Sequence, residues 1–132
     1  MRYGYEWIGT MQGYQSMLKG GWIGVDLDGT LAHYDHWRGA HHIGEPIFPM
    51  LERVKSWLAA GKTVKIFTAR MTEPHRDGID VRQHIQDWCE RHGLPRLEVT
   101  NVKDYWMVEL WDDRAVQVIM NTGQPVRCSD TH

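Results

Sequence analysis

The sequence predicts an α/β fold: one domain with a mainly parallel central sheet, helices on both faces and no large cap domain. Three observations predict it. Short β-rich runs alternate with longer segments whose apolar residues recur at helical spacing. The 132 residues suffice for one hydrophobic core but not for two ordinary domains. Acidic, basic and hydroxyl side chains follow directly after the apolar runs, at the edge where open α/β sheets bind their ligands.

Residues 1–20 come first. Tyr3, Tyr5, Trp7, Ile8, Met11, Tyr14, Met17 and Leu18 suit an amphipathic helix, but Gly4, Gly9 and Gly13 weaken it. This stretch is an N-terminal extension without an assigned element, and residues 21–132 form the domain. Gly20-Gly21 breaks the chain before a first strand over 22–27. Residues 31–45 are polar, rich in His and interrupted by Gly, and read as a short flap or a solvated loop. Pro46 suits the first turn of a helix carrying Ile47, Met50, Leu51, Val54, Trp57 and Leu58, which Gly61 ends. Thr63–Phe67 is a strand pattern. A loop with Pro74 and Gly78 leads to a second helix over 79–92, stopped by Gly93 and Pro95. Strands are expected at 97–99 and 105–111, a last core strand at 115–120, a turn at 121–123 and an edge strand at 125–128.

Composition narrows the function classes. Apolar residues make up 42% and charged residues 24%, which is globular usage. The net charge of −2 argues against broad electrostatic binding to nucleic acid. No apolar run reaches the roughly 18 residues of a membrane span, and Met1–Glu6 has no signal pattern. Cys89 and Cys128 have no metal or redox spacing, so the expectation is a cytoplasmic protein with reduced thiols.

The groups after the strands carry the chemistry. Asp26, Asp28 and Thr30 follow the first strand, Thr68 and Arg70 the second, Asn101 and Lys103 the third, and Asp112, Asp113 and Arg114 the fourth. In a parallel sheet these ends share one edge. Asp26 and Asp28 lie one residue apart, and like charges that close resist joint ionisation unless a cation is present. Magnesium takes oxygen ligands, and Asp26 and Asp112 can each give it one carboxylate oxygen, with a backbone carbonyl near Asp28 as a third protein ligand and Asp113 beside the group. Gly29 permits a sharp turn, which the Thr30 hydroxyl can fix. Phosphoryl transfer suits this set. One carboxylate can attack phosphorus while the other serves as acid and base. Thr68, Lys103 and turn amides can neutralise or bond the phosphoryl oxygens.

In this order the residues resemble the haloacid dehalogenase-like (HAD) phosphohydrolases. Asp26-Leu27-Asp28-Gly29-Thr30 resembles their first motif, Thr68 the second, Lys103 the third and Asp112-Asp113 the fourth. The resemblance covers about residues 21–118. It implies a HAD-like Rossmannoid fold of the capless type and a magnesium-dependent phosphatase with Asp26 as nucleophile and Asp28 as general acid and base. Thr68 and Lys103 would hold the phosphoryl group, and Asp112 would ligate magnesium beside Asp113. Thr68-Ala69-Arg70 and Asp112-Asp113-Arg114 are similar to the phosphatase domain of phage polynucleotide kinases. That likeness implies a phosphate contact by Arg70 and a nucleotide or nucleic-acid 3′-phosphate as substrate; Arg114 is a further candidate for substrate contact, and a small phosphomonoester remains a candidate substrate. The mild acidity disfavours nucleic acid, and no Gly-x-x-x-x-Gly-Lys-[Ser/Thr] loop occurs.

The His-rich flap residues His33, His36, His41 and His42 have no helix to set them for a transition metal. Tyr34 and Trp37 can stack on a nucleobase. Two other function classes stay open: a phosphate- or metal-binding module without turnover, and a phosphotransferase with an acceptor other than water.

Overall fold

A computed structural model describes residues 20–126. The expectations for the N-terminal extension, for Cys128 and for the far end of the last edge strand lie outside these residues. Within them the expected α/β fold with a mainly parallel sheet and no large cap is present, but its two described helices cover one face of the sheet and not both. β1 (Trp22–Val25), β2 (Thr63–Phe67), β5 (Glu98–Thr100) and β6 (Met107–Trp111) form a four-stranded sheet in the order β5-β2-β1-β6. All its pairings are parallel. β1 is buried along its whole length, as a central strand requires.

α1 (Phe48–Ala59) links β1 to β2, and α2 (Val81–Arg91) links β2 to β5. α1 starts later than expected: Pro49, not Pro46, sits in its first turn, and Ile47 is a cap without a side-chain bond. Pro46 pairs instead with Ala32 at the base of the flap. α2 is capped by Asp80, whose carboxylate accepts the Gln83 amide at 3.0 Å. Ile79 is not helical. It belongs to a hairpin of β3 (His75–Arg76) and β4 (Ile79–Asp80). Asp77 and Gly78 turn that hairpin with φ of 55° and 78°. An Asp-Gly pair with both φ positive is the tight-turn signal that the sequence carries at this point.

Both crossovers advance in the same direction across the sheet. Right-handed connections then place both helices on one face. Packing agrees: Met50, Leu51 and Val54 of α1 and Val81, Ile85 and Trp88 of α2 share one core with Ile23, Val25, Val64, Ile66 and Val99. The opposite face carries Trp22, Lys65 and Glu98. Among the described residues no helix lies there. Lys65 is buried, its ammonium 3.5 Å from Glu98 and 4.5 Å above the Trp22 ring. Residues 101–106 return the chain from the β5 edge to the β6 edge across this second face. That is short for a parallel crossover, which normally takes a dozen residues or more. The Asp104 carboxylate anchors the segment by accepting the Trp22 indole N–H and the Trp106 amide, both at 2.8 Å.

The expected core strand at 115–120 is not one. Val116, Val118, Ile119 and Met120 are exposed. The chain leaves the sheet after Trp111 because the Asp112 carboxylate accepts the amides of Arg114 and Ala115, which bends it away. Beyond that bend, Gln117 accepts from Val126 at 2.7 Å and Ile119 donates to Gln124 at 2.8 Å. The expected turn is present, with Asn121 and Gly123 at positive φ. No described helix is long and apolar enough to cross a membrane.

Ile66 is fully buried at the centre of the sheet. Its replacement by Ala should cost about 2–5 kcal/mol. Urea unfolding should show a lower midpoint with an unchanged slope.

Candidate active site

β1 delivers Asp26 to the carboxyl edge, where its amide still donates to Trp111 of β6 at 2.9 Å. The strand ends there. Leu27 turns inward, fully buried, and its carbonyl accepts the amides of Thr30, Leu31 and Ala32. This knot fixes the turn that carries Asp28, Gly29 and Thr30. Gly29 has φ +90°, and a Cβ there would lie 2.8 Å from an Asp113 carboxylate oxygen. Only glycine lets the two loops approach so closely. Thr30 then donates its hydroxyl to Asp113 at 3.1 Å, tying the first motif to the last.

Asp26, Asp112 and Asp113 each present a carboxylate oxygen within 4.8 Å of the other two. Burial, a hydrogen bond with Asp113 and repulsion from Asp112 and Asp113 push the Asp26 carboxyl up to about 7. Among the described residues this is the only group of three or more His, Cys, Asp or Glu donors within reach of one ion. The flap histidines form none. The donors are hard anionic oxygens from two strand ends, the set that magnesium takes. The residues therefore fit the expected ion.

The Asp28 carboxylate stands outside this group. Arg70 holds it with two bonds, Nε to Oδ2 at 2.8 Å and Nη2 to Oδ1 at 2.9 Å. Both Asp28 carboxylate oxygens thus accept from a cation, and the ligand expected at this position, a backbone carbonyl near Asp28, does not depend on them. Arg70 also reaches the flap, donating to the carbonyls of His42 at 2.8 Å and Ala40 at 3.4 Å. Its guanidinium lies 4.9 Å from the centre of the Trp37 ring, and Arg76 lies 5.2 Å from the same ring.

The flap is thus anchored at several points of its backbone, while residues 33–38, 41 and 42 remain exposed to solvent. At its base His33 donates to Glu45, and Ile47 to Leu31, each at 2.8 Å. Gly44 crosses so close to the His33 carbonyl that no Cβ would fit. Further along, the Ala40 amide donates to Asp77 at 2.9 Å, a ring nitrogen of His84 meets the His41 carbonyl at 2.8 Å, and the Trp88 indole donates to Gly44 at 3.0 Å. Asp77, His84 and Trp88 have structural roles that the sequence reading missed. The Asp77-Gly78 turn signal could have placed the first of them.

Thr68 follows β2, is almost fully buried, and accepts the Arg70 amide at 3.1 Å, which leaves its hydroxyl hydrogen to donate. Asp26, Asp28, Thr68, Arg70, Asp112, Asp113 and Arg114 line one cleft of about 730 Å³, with Tyr34 and Trp37 on its flap side. Lys103, expected beside the phosphoryl group, is not among the residues lining it. It is exposed on the crossover, where the anchor at Asp104 draws the chain under Trp22, and Asn101 lines the cleft instead. Cys89 is buried, which pushes its thiol up to about 11 and leaves it unreactive.

No family model and no curated protein matches the chain. Among solved structures, one described as the structure of a conserved protein from Bacteroides thetaiotaomicron has a similar fold, with a TM-score of 0.53 and 22% identity over 74% of this chain and 78% of that chain. At that identity the likeness concerns the fold alone.

A carboxyl whose folded pKa is raised binds its proton more tightly folded than unfolded. The contribution of Asp26 to metal-free stability is therefore full below its unfolded value of about 4, and it is lost as the pH rises through about 7. Magnesium needs the ionised form. Added magnesium should thus raise the melting temperature at about pH 8 and not at about pH 5. Asp26→Asn should raise the melting temperature of the metal-free protein at about pH 8 and abolish the magnesium shift.

Proposed function

We propose that this protein is a magnesium-dependent phosphomonoester hydrolase working through an aspartyl-phosphate intermediate. The observation that supports it most is the gathering of Asp26, Asp112 and Asp113 from two distant strand ends into one cleft with Asp28, Thr68 and Arg70. Such a group is strained by its own charge, and the Gly29 turn keeps it together. The resemblance to HAD phosphohydrolases assigns Asp26, Asp28, Thr68, Asp112 and Asp113 to the site, together with Lys103.

Magnesium, held by Asp26, Asp112 and Asp113, would offset the charge of the phosphate and of the acids around it. A carboxylate oxygen of Asp26 attacks phosphorus, and the bond from phosphorus to the leaving oxygen breaks. That oxygen takes a proton from Asp28. Water then attacks the phosphorus of the aspartyl phosphate, gives a proton to Asp28, and releases phosphate with Asp26 restored. The Thr68 hydroxyl donates to a phosphoryl oxygen. Arg70, Arg76 and Arg114, which line the cleft, supply positive charge there. The space beside Tyr34 and Trp37 suits a phosphomonoester with a sizeable leaving group, and a nucleotide is one candidate. Transfer to an acceptor alcohol would follow the same first step, and product analysis with added alcohols separates it from hydrolysis.

One observation favours a second reading, a phosphate- or metal-binding module without turnover: both oxygens of Asp28 are engaged by Arg70. Magnesium-dependent binding of beryllofluoride without measurable hydrolysis would support it.

With an aryl phosphate and magnesium, Asp26→Asn should lose at least about a thousandfold in kcat. Equal activity in the two proteins would remove Asp26 as nucleophile. Asp28→Asn should lose about 10²–10⁴-fold with an alkyl phosphate and much less with an activated aryl phosphate, whose leaving oxygen needs no proton.

A further inference from the structure

We propose that Arg70 is a positioning residue that couples the flap to Asp28, and that it is handed from Asp28 to a phosphoryl oxygen when substrate binds. The hand-over rests on the phosphohydrolase reading. The coupling does not, because it is measured without turnover.

The geometry of one guanidinium carries the argument. It offers five N–H groups, and four are committed, two to Asp28 and one each to the carbonyls of Ala40 and His42. The Arg70 side chain is only 6% exposed and that of Asp28 20%. A cation so nearly buried is held in place by its charged partner, and removing that partner leaves an uncompensated charge. Two backbone carbonyls cannot replace a carboxylate. Asp28 therefore holds Arg70 at the flap, and Arg70 adds its two carbonyl bonds to those that Asp77 and His84 make with residues 40 and 41. The two segments meet through this one side chain.

The same bonds leave Asp28 badly placed as an acid. With both oxygens accepting from Arg70, neither is directed at a leaving group. Arg70 also lines the cleft beside Asp26 and Thr68. A phosphoryl group arriving there brings more negative charge than Asp28 and takes bidentate bonds from a guanidinium equally well. Exchange of one anion for the other keeps the cation paired, keeps the flap tied and frees the Asp28 carboxylate to take a proton from the monoanionic phosphate or from water, which it then gives to the leaving oxygen. Substrate would thus complete the site it binds.

Hydrogen exchange of the Ala40 and His42 amides reads the coupling, since both are bonded within this region, to Asp77 and Gly39. The His33 amide at the flap base serves as the internal reference. Asp28→Asn and Arg70→Ala should each speed exchange at Ala40 and His42 about tenfold. The double variant should add nothing further, and Asp26→Asn should leave exchange there unchanged. Arg70→Lys, with one compact ammonium, should fall between. Unchanged exchange in Asp28→Asn, with its folded state verified by circular dichroism, would overturn the coupling.

Beryllofluoride with magnesium reads the hand-over. It should restore protection in Asp28→Asn and not in Arg70→Ala. Binding that raises the melting temperature but restores nothing in Asp28→Asn would overturn the hand-over. Absence of binding to the wild type would overturn the phosphoryl reading and the hand-over with it, while the variants still decide the coupling.

Discussion

Mutual repulsion among three carboxylates is the constraint around which the carboxyl edge of this sheet is built. Left to themselves, Asp26, Asp112 and Asp113 would separate into solvent. Asp26 cannot, because it continues a fully buried central strand and its amide is bonded into β6. Asp112 cannot, because its carboxylate holds the turn that follows that strand. Asp113 is drawn against Gly29 and bonded by Thr30. Each acid is fixed by a different local device, and the stability of the core opposes their repulsion. Burial first, then the hydrogen bond with Asp113 and repulsion from Asp112 and Asp113, push the Asp26 carboxyl up to about 7.

The second charge problem at this edge is solved differently. Asp28 sits beside the acid group but gains a cation of its own from β2's end, so it does not add to the repulsion. The flap exploits that cation. A segment with little apolar content cannot bury itself, and only Ala40 within 33–45 is deeply buried. It is held instead by hydrogen bonds between its backbone and side chains: Arg70, His84 and Trp88 donate to its carbonyls, and Asp77 accepts the Ala40 amide. Such a segment is cheap to release, because few apolar contacts must break. Order and ease of opening therefore come from the same composition.

Topology explains what stands on each side. Two crossovers in one direction place both helices over one face, and the chain returns across the other in six residues, 101–106. So short a return runs nearly taut, and its anchor is Asp104 against Trp22. The side chains that reach the cleft from this segment are set by that path. Asn101, next to the end of β5, lines the cleft, whereas Lys103, one residue before the anchor, does not.

The sequence by itself determined the alternation of strands and helices, the single core and the clustering of Asp26, Thr68, Asp112 and Arg114 at one edge. Those features follow from apolar periodicity and from position relative to strand ends, both of which are local. Leu27, read as facing inward, is fully buried. Tertiary structure decided the rest. Apolar content suggested a core strand at 115–120, but a bend at Asp112 carries those residues off the sheet, and periodicity is blind to such bends. Nothing in the local sequence pairs Asp28 with Arg70, forty-two residues away, or ties Arg70 to the carbonyls of Ala40 and His42. Backbone carbonyls are identical in every residue, so a flap held by them leaves no trace in composition, and only the folded chain shows which side chains reach them.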